Sequence, residues 1–255
     1  MAGLAVSCQG ADNKDGVPIT ELTKFSLRIK GALEKARIPE ILQQPLLDRL
    51  ESAPLSLREE LETITSLDAY LWRLVDKEHG LDPAYEPQDM VLLGGGTYRV
   101  NRPGMQLRQQ AAAALEKMAQ AAQQDGVVLV ASSAYRSYEY QKQVYERNVR
   151  QMGQVAADRE SARPGHSQHQ LGLAIDFGSI DDSFAETKQS AWLEKHGSRY
   201  GWSMSYPKDL EDVTGYRWES WHYRYVGPEL AHFIDTYFGS IQQYALLFLH
   251  YYMKN

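Results

Sequence analysis

Three short segments, the apolar run Val127 to Ala131 and the further strand candidates Leu173 to Phe177 and His222 to Val226, limit most tightly what this chain can become. Each has the length of a buried strand and is too short for a core helix. Helical patterns lie before and between them. Leu22, Phe25, Ile29 and Leu33 recur on one face of a helix that ends before Pro39. A second helix is expected from Ser56-Leu57-Arg58-Glu59, a capping-box pattern in which Ser caps free amides and Glu reaches back. Its stripe runs through Leu57, Leu61, Ile64, Leu71 and Leu74, with Gly80 and Pro83 as stop signals. Gln106 to Gln124, rich in Ala and Gln and followed by Gly126, reads as another helix. Ser137 caps the next, and Pro228 to Phe238 forms a closing one. Helices first, then short strands interleaved with helices, predict an α+β fold: a small antiparallel sheet flanked by helices, behind an N-terminal helical lobe. The expected organisation is a tether over 1–18, the lobe over 19–82 and a chemistry-bearing domain over 83–255.

Composition narrows the function. A chain of 255 residues, 43% hydrophobic and 24% charged, can bury a core without disulfides or a structural metal. A formal net charge of -6 gives no electrostatic reason to expect nucleic acid or an anionic membrane as partner. Cys8 is the single cysteine, which excludes an intrachain disulfide and a thiolate-rich zinc cluster. No stretch approaches the roughly 18 apolar residues of a membrane span. Gly94-Gly95-Gly96 is read as a turn or flexible loop; it lacks the Lys and Ser/Thr of a phosphate-binding loop, so no nucleotide role is expected.

The segment Ser167-Gln168-His169-Gln170-Leu171-Gly172-Leu173-Ala174-Ile175-Asp176 carries the most chemistry. If the chain is extended from Gly172, then Gly172, Ala174 and Asp176 share one face, because side chains alternate. Two minimal side chains beside a carboxylate leave a hollow suited to a metal and a small substrate, with His169 just before it. An aspartate ending an ordinary strand near a satisfied histidine accounts for this segment equally well. The second segment is Glu219-Ser220-Trp221-His222. In one strand Glu219 and His222 face opposite ways, so they converge only if a turn separates Glu219 from a strand beginning near Trp221. With that turn, His169, Asp176 and His222 form a three-ligand set that leaves one zinc position for water, and Glu219 is placed as general base. A surface Glu and a core His are the alternative. His166 and His169 could also pair as ligands, which leaves Asp176 without a role. His79, His196, His232 and His250 have no partners in recognisable spacing.

Together the two segments resemble the zinc D,D- and L,D-carboxypeptidases of the VanY and LdcB type, whose pattern is S-x-H-x-x-G-x-A-x-D followed by E-x-W-H. The likeness begins near Tyr85 and includes Glu86-Pro87-Gln88-Asp89, Tyr135-Arg136-Ser137 with Gln141, Pro164-Gly165, Tyr200-Gly201-Trp202 and Thr214-Gly215-Tyr216. It departs from the pattern at His166, where a small or hydroxyl residue is more usual, and at Ser220, where Pro is common. The resemblance implies zinc held by His169, Asp176 and His222, with Glu219 as base and Arg136 polarising the scissile carbonyl. It implies substrate contacts from Gln141 and Ser167. The domain over 83–255 then becomes a zinc carboxypeptidase, with peptidoglycan stem peptides as partner. D,D activity on stems ending in D-Ala-D-Ala is the expectation, with L,D activity on tetrapeptides or a non-catalytic wall-binding module as alternatives. An extracytoplasmic location follows from such a substrate. Leu4 to Cys8 resembles the end of a lipoprotein signal, making Cys8 the one candidate lipid anchor; a stray cysteine is the other reading, since only seven residues precede it, without Lys or Arg.

Overall fold

The computed structural model describes residues 19–254; Cys8 and its tether lie outside them. The chain begins with helices α1 (Ile19–Lys35), α2 (Glu40–Ser52), α3 (Pro54–Ser66) and the short α4 (Ala69–Trp72). In α1, Phe25, Ile29 and Leu33 are buried as their spacing requires. Helix α3 starts at Pro54 rather than at Ser56. Proline at the first helical position forgoes an amide hydrogen that has no partner there in any case, and Ser56 forms no cap. The helix also stops at Ser66, so Leu71 and Leu74 belong to α4 and the segment after it, and Gly80 and Pro83 stop nothing. Helix α2 forms with Pro45 inside it, against the use of proline as punctuation.

A two-stranded hairpin pairs β1 (Met90–Leu92) with β3 (Gln106–Arg108), while β2 (Arg99–Val100) joins the main sheet. The expected helix at Gln106 therefore begins three residues later, as α5 (Gln109–Gln124), because Leu107 is committed to the hairpin. There follow β4 (Val130–Ser133), α6 (Tyr138–Met152), α7 (Gln154–Glu160), β5 (Ala174–Phe177), α8 (Lys188–His196), β6 (Trp202–Met204), α9 (Glu211–Thr214), β7 (His222–Tyr225), α10 (Pro228–Tyr237) and α11 (Gln242–Lys254). Ser137 caps α6 as expected, accepting from the Tyr140 amide. The main sheet has the order β2-β4-β5-β7-β6 and is antiparallel apart from the β2–β4 pair.

Two cores result. On one face of the sheet, Ile175, Phe177, Tyr223 and Tyr225 pack against Leu115, Met118 and Ala122 of α5. Each fully buried Leu or Met contributes about 1.5–3 kcal/mol over its exposed state. The second core joins Ile29, Leu46 and Leu61 of the N-terminal helices to Phe233, Ile234, Phe248 and Leu249 of α10 and α11. The helices of residues 19–66 are thus packed on the chain's last two helices. Among the described residues, no helix is long and apolar enough to cross a membrane.

Candidate metal centre

Strand alternation sends Ile175 and Tyr223 into the core and turns Asp176 and His222 to the opposite face. Antiparallel register then makes Asp176 and His222 direct cross-strand partners, with Ser133 paired to Asp176 from the other side. Three neighbouring strands thereby lay Ser133, Asp176 and His222 in a row. His169 comes from a 3₁₀ turn, Gln168–Leu171, that precedes β5. Gly172 ends this turn with φ 72° and ψ 21°, a left-handed conformation that reverses the chain into the strand.

One ligand atom each from His169, Asp176 and His222 lies within 4.8 Å of the others, and all three residues are buried. Their geometry fits a metal. His169 Nδ1 is 2.7 Å from the Ala134 carbonyl oxygen, which can only accept, so Nδ1 carries the proton and Nε2 keeps its lone pair, 3.3 Å from Asp176 Oδ2. His222 Nε2 lies 3.3 Å from Gln168 Oε1, and its Nδ1 is 3.0 Å from Asp176 Oδ1. Apart from this imidazole contact that oxygen is buried without a hydrogen-bond partner, as a ligand atom would be. Two imidazoles and a carboxylate are a donor set suited to zinc.

The expected turn is present. Ser220 and Trp221 form it, the His222 amide donates to Glu219 O at 3.2 Å, and Glu219 Oε2 reaches within 3.4 Å of His222 Nδ1. Arg136 closes the other side, donating Nη2 to Asp176 Oδ2 at 2.7 Å and to Ser133 Oγ at 2.8 Å. Its Nη1 has a long contact, 3.4 Å, with Gln141 Oε1. Gln141 donates Nε2 to Ala162 O at 2.8 Å and to Ser161 Oγ at 3.4 Å, so it braces Arg136 from behind. Ser167 Oγ accepts from the His169 amide at 3.3 Å. The three candidate ligands, together with Glu219, Arg136, Gln141 and Ser167, border one cleft of about 330 Å³.

The electrostatics are those of a crowded, dry site. Burial pushes the Glu219 carboxyl above its ordinary range, against the pull of His222. Burial and the Arg136 cation lower His169 to about 4. Burial also opposes charge on His222, but contact with Asp176 and Glu219 outweighs it and raises the imidazole to about 9. Asp176 resists burial in the same way and stays well below the usual carboxylate range through His169, His222 and Arg136.

Some expectations fail here. Gly172 and Ala174 do not line the cleft. A Cβ on Gly172 would meet Met90 Sδ at 2.8 Å and Arg108 Cγ at 3.2 Å, so that glycine makes room for the β1–β3 hairpin and not for substrate. His166 is no ligand: its Nδ1 is engaged by the Asp76 carbonyl at 2.7 Å. His79 does have a partner, Asp76 Oδ1 at 2.8 Å, and its ring meets that of His250. Tyr206 is a site residue with no sequence signal; it borders the cleft and its ring packs on His222 at 4.7 Å between centroids.

Comparison with known proteins agrees with this geometry. Residues 104–228 match the family model described as VanY, D-alanyl-D-alanine carboxypeptidase. YodJ of Bacillus subtilis is 36% identical over 191 residues, which cover 72% of this chain and 70% of YodJ. The solved structure of the LdcB LD-carboxypeptidase is similar with a TM-score of 0.60 and 34% identity, over 66% of this chain and 85% of LdcB. A VanY D,D-pentapeptidase from a VanB-type vancomycin resistance cassette, solved as a mutant with Zn(II), gives a TM-score of 0.57 and 29% identity, over 69% of this chain and 99% of the other. The chain belongs to the family described as VanY, D-alanyl-D-alanine carboxypeptidase, and is a carboxypeptidase, a hydrolase.

Proposed function

We propose that this protein is a zinc-dependent D,D-carboxypeptidase that removes the terminal D-Ala from peptidoglycan stem peptides ending in D-Ala-D-Ala. The observation that carries the reading is the convergence of His169, Asp176 and His222 within 4.8 Å at a cleft that Glu219 and Arg136 also border. His169, Asp176 and His222 would hold the zinc, which when bound would supply Lewis-acid polarisation of the scissile carbonyl and a more acidic water. Glu219, whose burial makes its carboxylate a stronger base, would in its ionised form take a proton from the attacking water and return it to the leaving amine. Arg136 is held by Asp176 and Ser133 and has a less committed Nη1, which stabilises charge developing on the carbonyl oxygen. Ser167 and Gln141 shape the wall that receives the terminal residue. A folded substrate site over residues 83–255, resting on the helices of 19–82, is the working division of the chain. Stem peptides of the wall place the enzyme outside the cytoplasm.

The LdcB likeness favours a second reading, L,D activity on tetrapeptide stems. Both activities release D-Ala. The deciding experiment compares specific rates of the zinc-loaded protein on matched pentapeptide and tetrapeptide stems, by mass spectrometry. Preference for the pentapeptide supports the D,D assignment; preference for the tetrapeptide overturns it and leaves the residue roles standing.

A further inference from the structure

Behind His222 lies a directional hydrogen-bond chain that ends in α11, beyond the 104–228 region of the family match. Its anchor is the Ser203 carbonyl of β6, a group that can only accept. Gln242, the first residue of α11, donates Nε2 to it at 3.1 Å. That contact orients the amide, so Gln242 Oε1 points the other way and meets Gln168 Nε2 at 3.3 Å. Gln168 is thereby oriented too. Its Oε1 faces His222 Nε2 at 3.3 Å and accepts from Ser205 Oγ at 2.7 Å. An amide oxygen cannot donate, so in the neutral imidazole that binds a metal His222 Nε2 must carry the proton, and the lone pair falls on Nδ1, which faces Asp176 at 3.0 Å. Gln168, Ser205 and Gln242 are each buried, which keeps competing water out of the chain.

We propose that Gln242, acting through Gln168, is a positioning residue that locks His222 in the tautomer a metal needs. A helix that touches none of the three ligands then sets the metal affinity of the site. A flipped Gln168 amide turns its NH₂ toward His222, favours the Nδ1–H tautomer and aims a proton where the metal belongs. The proposal rests on His222 being a ligand, as read above.

The test measures zinc affinity of the full chain by competition with a chromophoric chelator. Gln242→Leu should weaken zinc binding by about tenfold or more, within the range for lost outer-shell partners. Gln168→Glu should retain zinc, because a carboxylate accepts from His222 whichever way it turns. In that Gln168→Glu background, adding Gln242→Leu should change affinity by less than about threefold, since no amide orientation is left to fix. Long-range ¹H–¹⁵N spectra of the zinc-free protein, at a pH where the imidazole is neutral, should show His222 protonated at Nε2, and a tautomer mixture in Gln242→Leu. Gln243→Ala in the same helix, which loses a bond to Asp76 instead, should leave both readouts unchanged. Equal zinc losses from Gln242→Leu in the two backgrounds would mean that α11 acts through stability alone and overturns the proposal. Full zinc in His222→Ala overturns instead the ligand assignment beneath it.

Discussion

Replacing Gly172 by Ala adds one methyl group at the junction between the His169 turn and the Asp176 strand. Two costs can be worked from the structure. The residue sits at φ 72°, where an L side chain costs about 1–2 kcal/mol. The new Cβ would also lie 2.8 Å from Met90 Sδ and 3.2 Å from Arg108 Cγ. Met90 is flexible and can swing away. Arg108 cannot, because its side chain is held by Leu171 O at 2.9 Å and by Asp89 and Tyr85, while its amide donates to Gly172 O at 2.9 Å. Overpacking of this kind costs about 1–3 kcal/mol. The sum is roughly 2–5 kcal/mol, and at about 2–4 °C per kcal/mol for a chain of this size the melting temperature should fall by roughly 4–20 °C. Calorimetry of Gly172→Ala measures this directly. Adding Met90→Ala should recover only part of the loss, since the backbone cost remains. If the melting temperature is unchanged and only KM for a stem peptide rises, then Gly172 lines the substrate site and the reasoning is refuted.

Single substitutions His169→Ala, Asp176→Ala and His222→Ala should each abolish or severely weaken the binding of one zinc per chain, read by metal analysis after dialysis; full zinc in all three would remove the centre. Glu219→Gln should keep zinc and lower kcat by about 10²–10⁴, the usual range for a lost general base; near-normal turnover would assign the proton transfer elsewhere. Ser137→Ala should cost about 1 kcal/mol, as loss of an N-cap does, measured by urea denaturation without change in zinc content.

The chemistry of this chain is more legible in its sequence than its packing. His169, Asp176, His222 and Glu219 stand in two short segments, and parity alone required the turn at Ser220-Trp221 that the fold contains. The pairing of Asp176 with His222 is another matter, because it joins segments far apart in the chain, and register is set by the whole sheet. Gly172 fails as an extended residue for a related reason. Its conformation is dictated by the 3₁₀ turn before it, and a single turn leaves no periodic trace. Likewise the Ser56-to-Glu59 capping pattern is overridden by Pro54, which starts the helix sooner. Gln168 was visible only as a variable position within the motif; its orientation depends on Gln242, which no local pattern connects to it. Tyr206 reaches His222 from a loop after β6, where residue type alone says nothing.

The shared core of the first and last helices has a consequence for how the protein is made. Arg28 of α1 donates to Tyr252 O at 2.8 Å and its guanidinium stands 3.9 Å over the Tyr252 ring. These partners are separated by 224 positions, so at a ribosomal pace of about 5–20 residues per second α1 waits roughly 10–45 s for α11 to be synthesised. Until then Ile29, Leu33, Leu46 and Leu61 have no Phe248 or Leu249 to cover them. Such a chain cannot complete its fold from the N-terminus forward. It emerges with an apolar face that holdase chaperones can grip, and any premature stop before α11 leaves the part of that face under Phe248 and Leu249 uncovered.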